Sequence, residues 1–240
     1  MSLVLNHPFT FLIAGPTQAG KTSFVKKLIK NDLFNVKFKK ILWCQAGNTF
    51  PTDLQVHFQE GLPDIDKETQ QPLLLILDDL MSTAYSGEVS EIFTRKSHHK
   101  GISVILITQN LFHQAKHSRD ISLNCKYLCV FKTPRDRSQV TTLARQVHPE
   151  CPKSFQQAYL DATKQPHSYL FLDLSQDGDE LLRYRTNIFP QENCIVYAPT
   201  TNDEKIKITQ THAPRIKRLK QKSPSRNNKK RRSGTNKSNM

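Results

Sequence analysis

The stretch Gly15-Pro16-Thr17-Gln18-Ala19-Gly20-Lys21-Thr22 constrains the fold more than any other part of the chain. It follows an apolar run, Phe9 to Ala14, and opens an amphipathic one, Ser23 to Leu33. Strand, glycine-bounded loop and helix, in that order, are the setting in which the spacing G-x-x-x-x-G-K-[ST] acts as a P-loop. The glycines let backbone N–H groups turn inward around phosphate oxygens, and the helix N-terminus adds a partial positive charge. Residues 15–22 are therefore the expected cradle for a nucleoside triphosphate. Lys21 reaches the β- and γ-phosphates as a mobile point charge, and the Thr22 hydroxyl is placed to ligate Mg²⁺.

Further along, strands alternate with helices and loops. Val25, Leu28, Ile29 and Leu33 share one face of a helix expected from about Gly20 to Leu33, with Lys26, Lys27 and Lys30 facing away. Ile41–Cys44 reads as a short buried strand, in which Trp43 is a core residue. The polar stretch 46–71 reads as loop around a short helix near Leu54–Gln59. Leu73–Leu77 is an uninterrupted apolar run ending in Asp78-Asp79, suited to a central parallel strand covered on both faces. A helix over Gly87 to about His98 precedes Gly101 and a second central strand, Ile102–Gln109. Polar residues 113–124, a strand over Tyr127–Thr133 and helices over Ser138–Val147 and Ser154–Thr163 follow. Ser168–Leu174 and Leu181–Thr186 flank Gln176-Asp177-Gly178-Asp179 as a β-hairpin. The pattern is that of a doubly wound, mostly parallel α/β sheet.

Two strand ends carry further chemistry. Asp78 closes its apolar run at the C-terminal end of the strand, where sites in open α/β sheets lie, and a carboxylate there holds Mg²⁺ through water. Asp79 is the next carboxylate and the natural candidate to polarise an attacking water. Gln109 ends the following apolar strand. It is open to two readings, an ordinary strand-end residue or an amide that orients water without competing for its proton.

Taken in order, Gly15–Thr22, Asp78-Asp79, the segment Arg95-Lys96-Ser97-His98-His99-Lys100-Gly101-Ile102 and then Ile107-Thr108-Gln109-Asn110-Leu111-Phe112 resemble the genome-packaging ATPases of large eukaryotic DNA viruses, poxvirus-type enzymes among them, and of the Maverick/Polinton elements, within the HerA–FtsK group of P-loop motors. Arg183-Tyr184-Arg185-Thr186-Asn187-Ile188-Phe189-Pro190 looks like that family's ending, so the resemblance spans roughly residues 9–197. It implies a RecA/ASCE-like fold in which the glutamine strand is inserted between the P-loop strand and the Asp78 strand. It implies ATP hydrolysis by a homo-oligomeric ring that drives double-stranded DNA into a capsid. On that resemblance Lys21 and Thr22 bind phosphate and Mg²⁺, Asp78 holds the metal, and Gln109 is the sensor. Where this chain has Asp79, many relatives carry Glu, one methylene longer; Glu88 and Glu91 are the alternative bases. Arg95 is the first choice for an arginine finger supplied in trans, with Arg119 and Arg135 behind it.

Charge enters at the C-terminus. The formal net charge is +14, but residues 205–240 hold 13 of the 35 Lys and Arg and no acid, which leaves 22 bases against 21 acids in the body. The division expected is one P-loop ATPase domain over 1–200 and a disordered basic tail over 201–240. Lys217-Arg218, a ten-residue spacer and Lys229-Lys230-Arg231-Arg232 resemble a bipartite nuclear localisation signal. The implied partners are double-stranded DNA, capsid or portal-vertex proteins and a nuclear import receptor, and the implied location is the host nucleus, with the virion a second. No apolar run approaches the roughly 18 residues of a membrane span, and the early first strand leaves no room for a signal peptide. Five cysteines without framework spacing read as reduced thiols. Cys125/Cys129 and His148/Cys151 have loose zinc-like spacing but lack paired C-x-x-C. Competing classes are a small nucleoside or nucleotide kinase, with Arg119, Arg135, Arg137 and Arg145 as lid candidates, and a catalytically idle DNA- or capsid-binding P-loop protein. A GTPase would want N-K-x-D, which is absent.

Overall fold

The computed structural model describes residues 3–46, 56–78, 80, 86–112 and 116–198, together with the backbone of 207–211. Its centre is a ten-stranded sheet in the order β10-β9-β8-β7-β6-β1-β5-β4-β2-β3. The strands are β1 (Thr10–Ala14), β2 (Lys40–Gln45), β3 (His57–Glu60), β4 (Leu73–Asp78), β5 (Ile102–Thr108), β6 (Tyr127–Phe131), β7 (Tyr169–Asp173), β8 (Tyr184–Thr186), β9 (Cys194–Ala198) and β10 (Lys207–Thr211). From β6 through β1, β5, β4 and β2 to β3 every pairing is parallel. From β6 outward through β7, β8, β9 and β10 every pairing is antiparallel. The expected insertion is present: β5 lies between β1 and β4, with Leu12 opposite Leu106 and Leu77 opposite Leu106 on its other side.

The side chains explain this layering. β1, β4 and β5 are buried at every position, as strands covered on both faces must be. Phe11, Ile13, Ile105 and Ile107 pack on one face under α1 (Lys21–Lys30), which contributes Phe24, Val25 and Leu28. Leu12, Ala14, Val104 and Leu106 pack on the other, against Val89, Ile92 and Phe93, Ile121 of α4 (Ser118–Leu123), and α5 (Arg137–Val147) and α6 (Pro152–Ala162). Edge-to-face rings anchor α1: Phe24 meets Phe11, Phe131, Tyr169 and Phe189 at centroid distances of 6.1, 5.9, 4.7 and 5.3 Å. Trp43 is fully buried in the core, as expected.

Several sequence expectations are corrected. His57–Glu60, which overlaps the Leu54–Gln59 stretch read as a helix, is β3, pairing in parallel with Leu42–Gln45; Leu54 and Gln55 lie outside the described residues. The polar stretch 113–124, to which the sequence assigned no element, contains α4, whose one buried residue is Ile121. The helix over Gly87–His98 is α2 (Gly87–Glu91), a π-helical stretch Ile92–Lys96 and α3 (Ser97–His99). The hairpin forms, but Glu180–Leu182 is a 3-10 turn capped by Asp179 and the return strand is only Tyr184–Thr186. Beyond Pro199, where no packed structure was expected, Lys207–Thr211 pairs antiparallel with β9, Lys207 opposite Ala198 and Thr211 opposite Cys194. The rest of the 201–240 tail, with its two basic clusters, lies outside the described residues. Among the described residues no helix is long and apolar enough to cross a membrane.

Candidate nucleotide-binding site

The P-loop occupies the C-terminal end of β1, at the point where the chain switches from β5 on one side to β6 on the other. The Gly15 N–H donates to the Thr108 carbonyl at 3.2 Å, which pins the loop's first residue to the end of β5. Gly20 begins α1 at φ 100°, a conformation that costs a glycine nothing. The Phe24 N–H then donates to the Gly20 carbonyl at 2.9 Å. The half-buried Lys21 ammonium donates to the Gly15 and Pro16 carbonyls at 2.7 and 3.0 Å. A phosphate entering the loop offers stronger, charged acceptors to the Lys21 ammonium.

Thr22 Oγ1 donates to Asp78 Oδ2 at 3.3 Å. Asp78 is buried, at the last position of β4, opposite Ile107 of β5 and Gln45 of β2. A hydroxyl and a carboxylate converging in this way form an all-oxygen donor pair, the chemistry Mg²⁺ takes when it keeps several waters and binds substrate phosphates. Gln109 follows β5 directly and is exposed. It lies in a cleft with Pro16, Thr17, Asn110, Arg135 and Gln139. Gln139 ties this region together: its Oε1 accepts from the Leu111 N–H at 2.8 Å, and its Nε2 donates to Asp136 at 2.6 Å.

The structure thus brings Gly15–Thr22, Asp78 and Gln109 to one edge of the sheet. Asp79 lies outside the described residues. Of the alternative bases, Glu88 is exposed in the first turn of α2, and Glu91 faces Arg95 and Lys96 at 3.5 and 3.8 Å. Arg95 is exposed on the π-helical stretch, and Arg119 is exposed on α4; among the finger candidates Arg135 lines the cleft that holds Gln109. Cys125 and Cys129 belong to the cores on opposite faces of the sheet, and burial pushes both thiols up. No three His, Cys, Asp or Glu among the described residues are grouped to hold a metal.

A second cleft, of about 490 Å³, is lined by Gly20, Lys21 and Thr22 of the P-loop itself and extends along α1. Phe24, Phe131, His167, Tyr169 and Phe189 line it, with Lys27 at 5.2 Å from the Phe189 ring centroid. Sequence reasoning missed these rings. They come from α1, β6, the α6–β7 connection and the β8–β9 connection, and no local spacing links them.

No protein-family model matches the chain, and no curated protein does. Among solved structures, the chain aligns with the genome packaging NTPase B204 from Sulfolobus turreted icosahedral virus 2 in complex with AMPPCP, at 14% identity over 70% of this chain and 93% of that one, TM-score 0.49. With sulfate bound, the same protein aligns at 12% identity over 70% and 92%, TM-score 0.47. The DNA-packaging ATPase B204 from Sulfolobus turreted icosahedral virus aligns at 14% identity over 70% and 93%, TM-score 0.45. The P-loop NTPase fold itself follows from the strand order and the loop geometry given above.

Proposed function

We propose that this chain is an ATP-hydrolysing motor that translocates double-stranded DNA into a viral or virus-like capsid. The observation that carries the hydrolytic half is the placement of β5 between β1 and β4, which sets Lys21, Thr22, Asp78 and Gln109 on one sheet edge. Lys21 exchanges its two loop carbonyls for the β- and γ-phosphate oxygens. Thr22 and Asp78 would hold Mg²⁺, which when bound neutralises charge across those phosphates. Gln109 orients the attacking water, and Asp79 polarises it. The DNA-directed half is supported by the ordered sequence segments around Arg95–Ile102, Ile107–Phe112 and Arg183–Pro190. In this reading Arg95, exposed on its π-helical stretch, serves as a finger for a neighbouring subunit of a homo-oligomeric ring. Capsid or portal-vertex proteins receive the DNA, and the basic tail engages an import receptor for passage into the host nucleus.

Phosphate release from ATP by the full chain, measured alone, with long double-stranded DNA and with free nucleosides, tests the proposal. DNA-stimulated release with no phosphate transfer to nucleosides is expected. Lys21→Ala should reduce it by at least about a hundredfold, since the lysine carries the charge complement of the transferred phosphate. Transfer to a nucleoside without a DNA response would make the protein a kinase instead.

A further inference from the structure

A glutamine that orients water has to be held in place, and the strand ladder stops short of Gln109. β5 pairs with β1 up to Thr108, opposite Ala14, and with β4 up to Ile107, opposite Asp78. Gln109 and Asn110 then leave the sheet and are exposed, and Leu111 returns to the buried core. Two side chains brace the turn where the sheet ends. Thr108 Oγ1 donates to the Asn110 carbonyl at 3.3 Å, and Gln139 of α5 accepts from the Leu111 N–H through Oε1 at 2.8 Å. Gln109 and Gln139 line one small cavity together with Ala14, Gly15 and Leu111, so this tie lies beside the first glycine of the P-loop.

Gln139 does not take the partner that its local sequence favours. Asp136-Arg137-Ser138-Gln139 has the spacing of a capping box, in which the glutamine reaches back to the backbone N–H at the start of its own helix. Here its oxygen crosses instead to Leu111, 28 positions away in the chain. Asp136 decides which way the amide faces. Its carboxylate accepts from the Ser138 hydroxyl and from Gln139 Nε2, the latter at 2.6 Å. Those two bonds, Ser138 first and Gln139 second, hold the Asp136 carboxyl below the ordinary range and so keep it an acceptor. With Nε2 committed to Asp136, Oε1 is the atom left to face Leu111, and an acceptor is what that backbone N–H requires. A local cap is given up for a contact with the turn that carries Gln109.

Resting on the reading of Gln109 as the water-orienting amide, we propose that Gln139 is a positioning residue for hydrolysis. Held by Asp136, it fixes the turn 109–111 and thereby sets the Gln109 amide against the attacking water. Steady-state phosphate release from ATP by the full chain with long double-stranded DNA, together with affinity for the β,γ-imido analogue of ATP, tests this. Gln139→Ala is expected to lower kcat about tenfold while KM and analogue affinity stay within about twofold of wild type, because geometry at the reacting centre is lost and nucleotide binding is not. Gln139→Glu keeps the acceptor but sets two carboxylates against each other, so it should lose as much. Adding Asp136→Asn restores a donor opposite that carboxylate and should recover most of kcat. The decisive measurement is a double-mutant cycle. Gln109→Ala alone should lower kcat about a hundredfold, and Gln139→Ala added to it less than about twofold further, since no amide is left to place. A general loss of folded protein would lower kcat by the same factor in both backgrounds. An equal loss in both therefore overturns the proposal, as does wild-type kcat in Gln139→Ala. Wild-type kcat in Gln109→Ala overturns the reading of Gln109 beneath it, a result distinct from either of those.

Discussion

A methyl group at Gly15 would sit 2.6 Å from the Cβ of Phe131, and neither side has room to move. Phe131 is 1% exposed, and its Cβ rides on the β6 backbone between β1 and β7. Gly15 is therefore glycine because the loop and β6 approach too closely for anything larger. Gly15→Ala is expected to cost about 1–3 kcal/mol, the usual penalty of overpacking a tight core, read as a lower denaturant midpoint; an unshifted midpoint would contradict this packing. Lys21, Thr22, Asp78 and Gln109 were legible in the sequence because each is fixed by its own neighbours. A loop spacing marks the first two, and an apolar strand ending in a polar residue marks the others. The cleft residues were not legible. Phe131, His167 and Phe189 acquire their relation to Gly20 only when β6, β7 and the β8–β9 connection are laid beside β1.

Among elements, the strands that are buried throughout were read within a residue or two, since a long apolar run bounded by polar residues has few alternatives. The misread elements are short and amphiphilic. β3 has four residues, too few for a period to distinguish strand from helix, and its pairing with β2 decides the matter. α4 is held by one buried side chain, and β9 and β10 owe their existence to ladder bonds with their neighbours. The segment around the π-helical stretch is tied down by charge: Lys96 Nζ lies 3.0 Å from Asp66, which Lys100 also contacts. Lys100 first, then Lys96, hold the Asp66 carboxyl down to about 2, against an unperturbed value near 3.9. Because the folded value is the lower one, the stabilisation from this tie is fully present above the unfolded value and is lost as pH falls through the folded one. Carboxyl chemical shifts should show Asp66 titrating at about 2, and Lys100→Ala should move its midpoint upward. A wild-type midpoint at the ordinary carboxylate value would mean the tie does not form.

At the scale of the whole molecule, two half-sheets divide the work. The parallel half carries the P-loop, Asp78 and Gln109 at its C-terminal edge, and the antiparallel half closes the opposite flank and supplies Tyr169 and, just beyond β8, Phe189. The excess positive charge belongs to residues 205–240, so attraction between tail and DNA should weaken with salt. The central claim is that hydrolysis at this site moves the protein along a duplex. A triplex-displacement assay tests it most directly: a third strand bound to linear double-stranded DNA is released when a motor passes beneath it. Displacement that requires ATP, and that is absent with the β,γ-imido analogue and in Lys21→Ala, is the predicted result. Vigorous DNA-stimulated ATP hydrolysis with the third strand left in place would contradict the account.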